Sequence, residues 1–274
     1  MKNFKAIAMI IFSTVTYAQI RTTIPRREFV VFDGTLYIGK PNLSQFGLKP
    51  ITIVYSSSMW GTSSERRNPP DEGTIRTIAM QASKSAGIAV LDIENWPLSG
   101  NPSAVADSIS KYRRTIQLFK QAAPSLKVGY YGVVPARNYW DAIRGRSSPK
   151  YKAWQAADNG LASIADLADI LFPSLYTFYK DQNGWQKYAI EQIAEARRLA
   201  PGKPVYVFLW PQYEVSGGAT VQDLPPDAWR TELETARKYA DGIVIWGGWH
   251  QAWIANAPWW LETQRFLREN SGSK

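Results

Sequence analysis

Short apolar runs rich in β-branched and aromatic residues recur along the chain. From the second onward, each is followed by a longer stretch in which apolar residues return every three or four positions. The runs cover residues 29–32, 51–55, 88–91, 128–131, 170–176, 205–209 and 243–246. They are apolar almost without interruption, which marks parallel strands covered on both faces rather than half-exposed strands that alternate. The periodic stretches predict helices over 74–86, 103–123, 153–168, 188–200, 227–240 and 258–269. The second of these runs into Pro124 and the fourth into Pro201-Gly202, residues that stop a helix. β/α units without a linker between them predict one α/β domain. No glycine-rich phosphate turn follows the first strand, so the open nucleotide-binding sheet loses its main support. The expectation is a single (β/α) TIM-type barrel over residues 19–274, distorted and with seven clear strands.

Residues 1–18 follow another pattern. Lys2 and Lys5 precede an apolar run from Ala6 to Tyr17, and Thr16 and Ala18 provide small residues at its exit. That layout predicts a cleavable signal peptide, and the run is too short to span a bilayer. A secreted or periplasmic protein is therefore expected, and a bacterial one, since an exported chain without cysteine makes no use of disulfides.

Composition narrows the chemistry. With 45% hydrophobic and 20% charged residues among 274, the chain is globular rather than disordered. There is no cysteine and one histidine, His250. That excludes a disulfide scaffold, thiolate metal sites, a cysteine nucleophile and a His-rich metal centre, and no cofactor is implied. Without a Gly-x-Ser-x-Gly elbow or a second histidine, a Ser-His-Asp hydrolase has no support either. The net charge of +9 fits an anionic polymer, a nucleic acid, an anionic membrane surface, or solubility alone.

The third strand ends in Leu91-Asp92-Ile93-Glu94-Asn95-Trp96-Pro97. Residues i and i+2 of a strand face the same side, so Asp92 and Glu94 would both point into the mouth of the barrel. Two carboxylates there raise one another's pKa, and one can stay protonated as a general acid. Read blandly, they are surface residues just past the strand. Because both come from one strand, they suit substrate-assisted glycoside hydrolysis, in which the sugar's own acetamido oxygen attacks the anomeric carbon. Aromatic residues close the later strands: Tyr131, Tyr176, Trp210 with Tyr213, and Trp246. Singly each could be core filler; together they suggest a sugar-lined groove. Arg144, Arg146, Lys150 and Lys152 follow the fourth strand in a loop expected on the same face, a basic rim suited to uronate or sulfate, or simply a solvated loop.

Five strand-end segments resemble those of the hyaluronidases of animals and venoms, in the same order: 91–96, 129–132, 172–176, 204–207 and 242–246. The resemblance implies a distorted barrel that cleaves β-linked N-acetylhexosaminides by substrate assistance. It implies Glu94 as proton donor and Asp92 as the group positioning the acetamido. Tyr131 and Tyr176 would line the reacting subsite, and Trp246 would pack on the acetamido methyl. Trp96, Trp210, Tyr213, Arg144 and Arg146 complete the expected binding residues. Ile93 stands where the family has Trp, and Trp96 meets Pro97 directly where the family has an intervening Arg. The expected partner is a polysaccharide, anionic in character, bound by a monomer. A non-catalytic glycan-binding barrel and a tyrosine-based polysaccharide lyase are the competing readings. Nucleic acid is not expected, because carboxylates at the mouth repel phosphates.

Overall fold

The computed structural model describes residues 28–61, 66–214 and 221–270. The expected signal peptide lies outside the described residues. Among the described residues seven strands are formed: β1 Val30–Thr35, β2 Lys49–Pro50, β3 Thr52–Tyr55, β4 Ile88–Asp92, β5 Lys127–Tyr130, β6 Tyr206–Leu209 and β7 Gly242–Gly247. The helices are α1 Ser56–Trp60, α2 Glu72–Ala82, α3 Pro102–Ala122, α4 Tyr139–Ala142 and α5 Pro149–Asn159. They continue with α6 Ala162–Leu167, α7 Gln182–Leu199, α8 Pro226–Tyr239 and α9 Pro258–Asn270. Among the described residues no helix is long and apolar enough to cross a membrane.

All strand pairs are parallel. They form two sheets, β2-β1-β7-β6 and β3-β4-β5. Two stretches join them. Along 49–55, the first two residues pair with β1 and the last four with β4. On the far side, Phe172 bridges Tyr131, while Leu171 and Ser174 bridge Val205 and Phe208. Followed round, the pairing makes a complete circuit. This is the expected (β/α) barrel, with helices packed outside it: α2 against α3, α7 against α8, α8 against α9.

The fifth expected strand, 170–176, differs from the reading of the sequence. It makes isolated bridges rather than a regular ladder. Pro173 sits in its middle and has no N–H to donate, although its carbonyl still accepts from the Phe208 amide at 2.9 Å. The helix expected over 153–168 is two helices, broken between Asn159 and Ala162. The helix expected over 188–200 starts earlier, at Gln182, because the Asp181 side chain caps it by accepting from the Gly184 amide.

Strand parity divides the core into two clusters. Phe32, Val90, Phe172, Phe208 and Val244 fill the barrel, with Ile53, Ile88 and Tyr206 against them. Leu91, Ile93, Val207, Leu209, Ile243 and Ile245 face the helices, together with Trp185, Trp229 and Trp260. The inner cluster is tight. A Cβ on Gly129 would stand 2.1 Å from the Ile170 carbonyl oxygen and 2.9 Å from the Phe172 ring. Gly129→Ala is therefore expected to destabilise the fold by about 2–3 kcal/mol, through a backbone shift at the β5 seam. Urea denaturation would measure it, and an unchanged midpoint would contradict this packing.

Candidate active site

On β4 the inward side chains are Ile88, Val90 and Asp92, while Ala89 and Leu91 face outward. Ile93 is buried on the helix side, and Glu94 returns to the mouth. Asp92 and Glu94 thus share one face, as their spacing predicts. They line a cavity of about 160 Å³ whose floor is Ile53 and Phe208 and whose walls include Tyr131, Tyr176, Trp210 and Trp246.

The walls hold one another. The Trp246 ring stacks on Tyr176 at 5.7 Å and 26°. Trp210 stands edge-on to both, 5.1 Å from Trp246 and 5.5 Å from Tyr176. Tyr131 packs on Tyr176 at 5.7 Å, and its hydroxyl is 3.0 Å from the Ser174 hydroxyl. The Trp246 indole N–H donates to the Tyr55 hydroxyl at 3.1 Å, and Tyr55 lies beside Asp92 in register. Past β7 the chain turns at Gly248, whose φ is +79° and whose Cβ position is filled by the Tyr37 ring. Only glycine suits that turn. It leaves Trp249 exposed, 6.1 Å from Tyr55.

Burial, and then the Glu94 charge, push the Asp92 carboxyl up to about 7. Burial likewise pushes the Tyr55 hydroxyl up to about 12, with the Trp246 hydrogen bond opposing and the Asp92 charge adding. Tyr131 and Tyr176 are raised by burial and stay protonated. The site therefore offers a carboxyl that titrates near neutrality deep in an aromatic cage, a second carboxyl at its exposed opening, and neutral hydroxyl donors around both. It can protonate a leaving oxygen and hold a pyranose ring against flat apolar walls.

A second, larger cavity of about 500 Å³ adjoins the first, since Glu94 and Tyr131 line both. Trp96 is part of its wall. The Trp96 ring is buried against Tyr112 at 4.9 Å, and its indole N–H donates to the Arg66 carbonyl. Lys150 and Arg137 also line this cavity. Arg137 pairs with Glu214 at 3.3 Å and lies 5.0 Å over the Phe178 ring. Glu214 in turn faces the small cavity, and burial raises its carboxyl against the opposing effect of Arg137.

Asp92, Glu94, Tyr131, Tyr176, Trp210 and Trp246 are brought together. Tyr213, Arg144 and Arg146 are not. The Tyr213 ring packs on the outer cluster. Arg144 pairs with Asp141 at 3.7 Å and Arg146 with Glu191 at 3.0 Å, and neither lines the two cavities. Tyr55, Arg137 and Glu214 are the site residues that the sequence reading missed. Tyr55 carried the same signal as the others, an aromatic closing an apolar run. Glu214 follows by parity from Trp210, as Tyr213 does not.

No protein-family model matches the chain, and no curated protein sequence does. Among solved structures, the chain is similar to bee venom hyaluronidase, with a TM-score of 0.61 and 15% identity over 88% of this chain and 98% of that one. It is similar also to bee venom hyaluronidase in complex with a hyaluronic acid tetramer, with a TM-score of 0.61 and 14% identity over 89% and 97%. At that identity the likeness establishes the fold alone, a (β/α) barrel.

Proposed function

We propose that the chain is an exported retaining glycoside hydrolase that cleaves polysaccharides at N-acetylhexosamine units with help from the substrate's own acetamido group. One observation carries this reading: Asp92 and Glu94 share the end of one strand, inside a cage of Tyr55, Tyr131, Tyr176, Trp210 and Trp246. Both acids come from one strand, and the third carboxyl that lines the cavity, Glu214, is paired with Arg137 at 3.3 Å, so the place of the nucleophile falls to the substrate. The acetamido oxygen can fill that place.

In this reading the reacting sugar sits in the small cavity, with Trp246 against its acetamido methyl. Glu94 gives its proton to the glycosidic oxygen as the acetamido oxygen bonds to the anomeric carbon and the leaving group departs. A cyclic oxazolinium forms, and Asp92 orients the acetamido N–H and balances the developing charge. Water then adds at the anomeric carbon, the bond from the acetamido oxygen to that carbon breaks to restore the acetamido group, and Glu94 takes a proton from the water. Two inversions at that carbon give net retention. Tyr131 and Tyr176 hold the ring through hydroxyls that burial keeps protonated. Arg137 and Lys150 in the adjoining cavity favour an acidic neighbouring unit. The leader-like residues 1–18 fit a chain that meets its polymer outside the cytoplasm.

Mass spectrometry of digests of hyaluronan, chondroitin, heparosan and chitin oligomers tests this. Products heavier than the broken fragments by one water are expected, and they name the substrate. Unsaturated products would make the protein a lyase and move the chemistry to its tyrosines. Affinity without any product would make it a binding barrel.

A further inference from the structure

Two large aromatic side chains stand exposed on the loops beside the larger cavity. Trp140 is 55% exposed and Tyr179 43% exposed, and their rings are 5.1 Å apart. Trp140 lies in α4, between Asn138 and Asp141 in the chain, and both of those line the larger cavity. Tyr179 follows Phe178, the residue under the Arg137 guanidinium. The pair thus continues the cleft outward from Arg137.

The rings are held in place. Tyr139 supports both, 5.1 Å from Trp140 and 5.0 Å from Tyr179, and packs 5.3 Å from the buried Tyr188. The turn into α4 is capped twice, since Asn138 accepts from the Asp141 amide and donates to the Asp141 carboxylate. The pair, braced from beneath by Tyr139, presents neighbouring apolar ring faces to solvent. Among the described residues, no other large apolar side chain is exposed on these two loops. Two rings fall far short of the area a stable protein contact buries. Flat rings flanked by polar atoms suit a pyranose, whose axial hydrogens make an apolar face and whose edges carry hydroxyls.

We propose that Trp140 and Tyr179 form an outlying carbohydrate platform, on which sugar units of the polymer threading the cleft stack beyond the larger cavity. This rests on the reading of the cleft as a polysaccharide site, but it does not require hydrolysis there. The platform engages long chains and is out of reach of short ones.

The test compares the native chain with Trp140→Ala, Tyr179→Ala and the double variant. Binding of long hyaluronan, chondroitin and glycol chitin, and of their tetrasaccharides, is measured by calorimetry. Product formation is followed in parallel. The double variant is expected to lose about tenfold in affinity for the long polymer the native chain binds, with tetrasaccharide affinity unchanged. Trp140→Phe should restore part of the loss. Equal polymer affinity in native and double-variant proteins would overturn the platform, as would native protein that binds none of these polymers. A concentration-dependent dimer abolished by the double variant would also overturn it and assign the rings to a second copy. If the polymer effect appears without any product, the platform stands and the hydrolase reading falls. If products form and the double variant keeps its preference for long chains, the reverse holds.

Discussion

Glu94→Gln is expected to lower hydrolysis by about a hundred- to ten-thousandfold, the range a positioned general acid supplies. The amide has nearly the same shape but no proton of suitable acidity to give. Glu94 is exposed at the opening shared by the two cavities, so the fold should survive the change. A second effect follows from its neighbour. The Glu94 charge is one of the two causes that raise Asp92, so removing it should lower the Asp92 pKa from about 7. Rate measurements and carboxyl NMR titration check the two effects separately. A fully active variant would remove Glu94 from the mechanism.

Asp92→Asn is expected to lose most activity and gain stability. The loss follows from the proposed role in orienting the acetamido and balancing positive charge, which an amide does poorly. The gain follows from linkage. Burial raises the folded-state pKa of Asp92 from 3.8 to about 7. Between those values the folded chain keeps a proton that the unfolded chain has released, so stability falls as pH rises through the window. Below about pH 4 both states are protonated and Asp and Asn should be equivalent. At pH 8 the variant should be more stable by on the order of 2 kcal/mol, after discounting the full shift for partial exposure. Urea denaturation at pH 4 and pH 8 measures the difference. Equal stability at pH 8 would mean that the carboxylate is well solvated after all. A normal rate in this variant would defeat the acetamido-assisted reading.

The barrel is legible in the sequence because both faces of its strands are covered, which leaves the runs apolar throughout. The carboxylate pair is legible because period two is a property of any strand, and Asp92 and Glu94 obey it. The same rule, carried past the end of β6, separates Glu214 from Tyr213. Trp210 faces inward, so residue 214 returns to the mouth and residue 213 turns to the helices. Other features had no local signal. Arg137 meets Glu214 across 77 positions of chain, and Arg146, part of the expected basic rim, is drawn to Glu191 on α7, so that rim is partly neutralised from elsewhere. The break in the fifth strand was written in Pro173, whose missing N–H limits it to bridges.

The circuit of strands has two thin places, the handover within 49–55 and the bridged stretch at 170–177. Asp92 and Glu94 sit on the three-stranded side of these seams, and Trp210 and Trp246 on the four-stranded side. Tyr176 rides on one seam, and the Tyr55–Trp246 hydrogen bond spans the other. The acids and the two tryptophan walls therefore belong to different halves. A slip of either joint by one residue would leave most of each half's hydrogen bonds intact while pulling the acids away from the aromatic walls. Turnover is thus a finer gauge of whether the two halves are in register than any measure of helix or strand content.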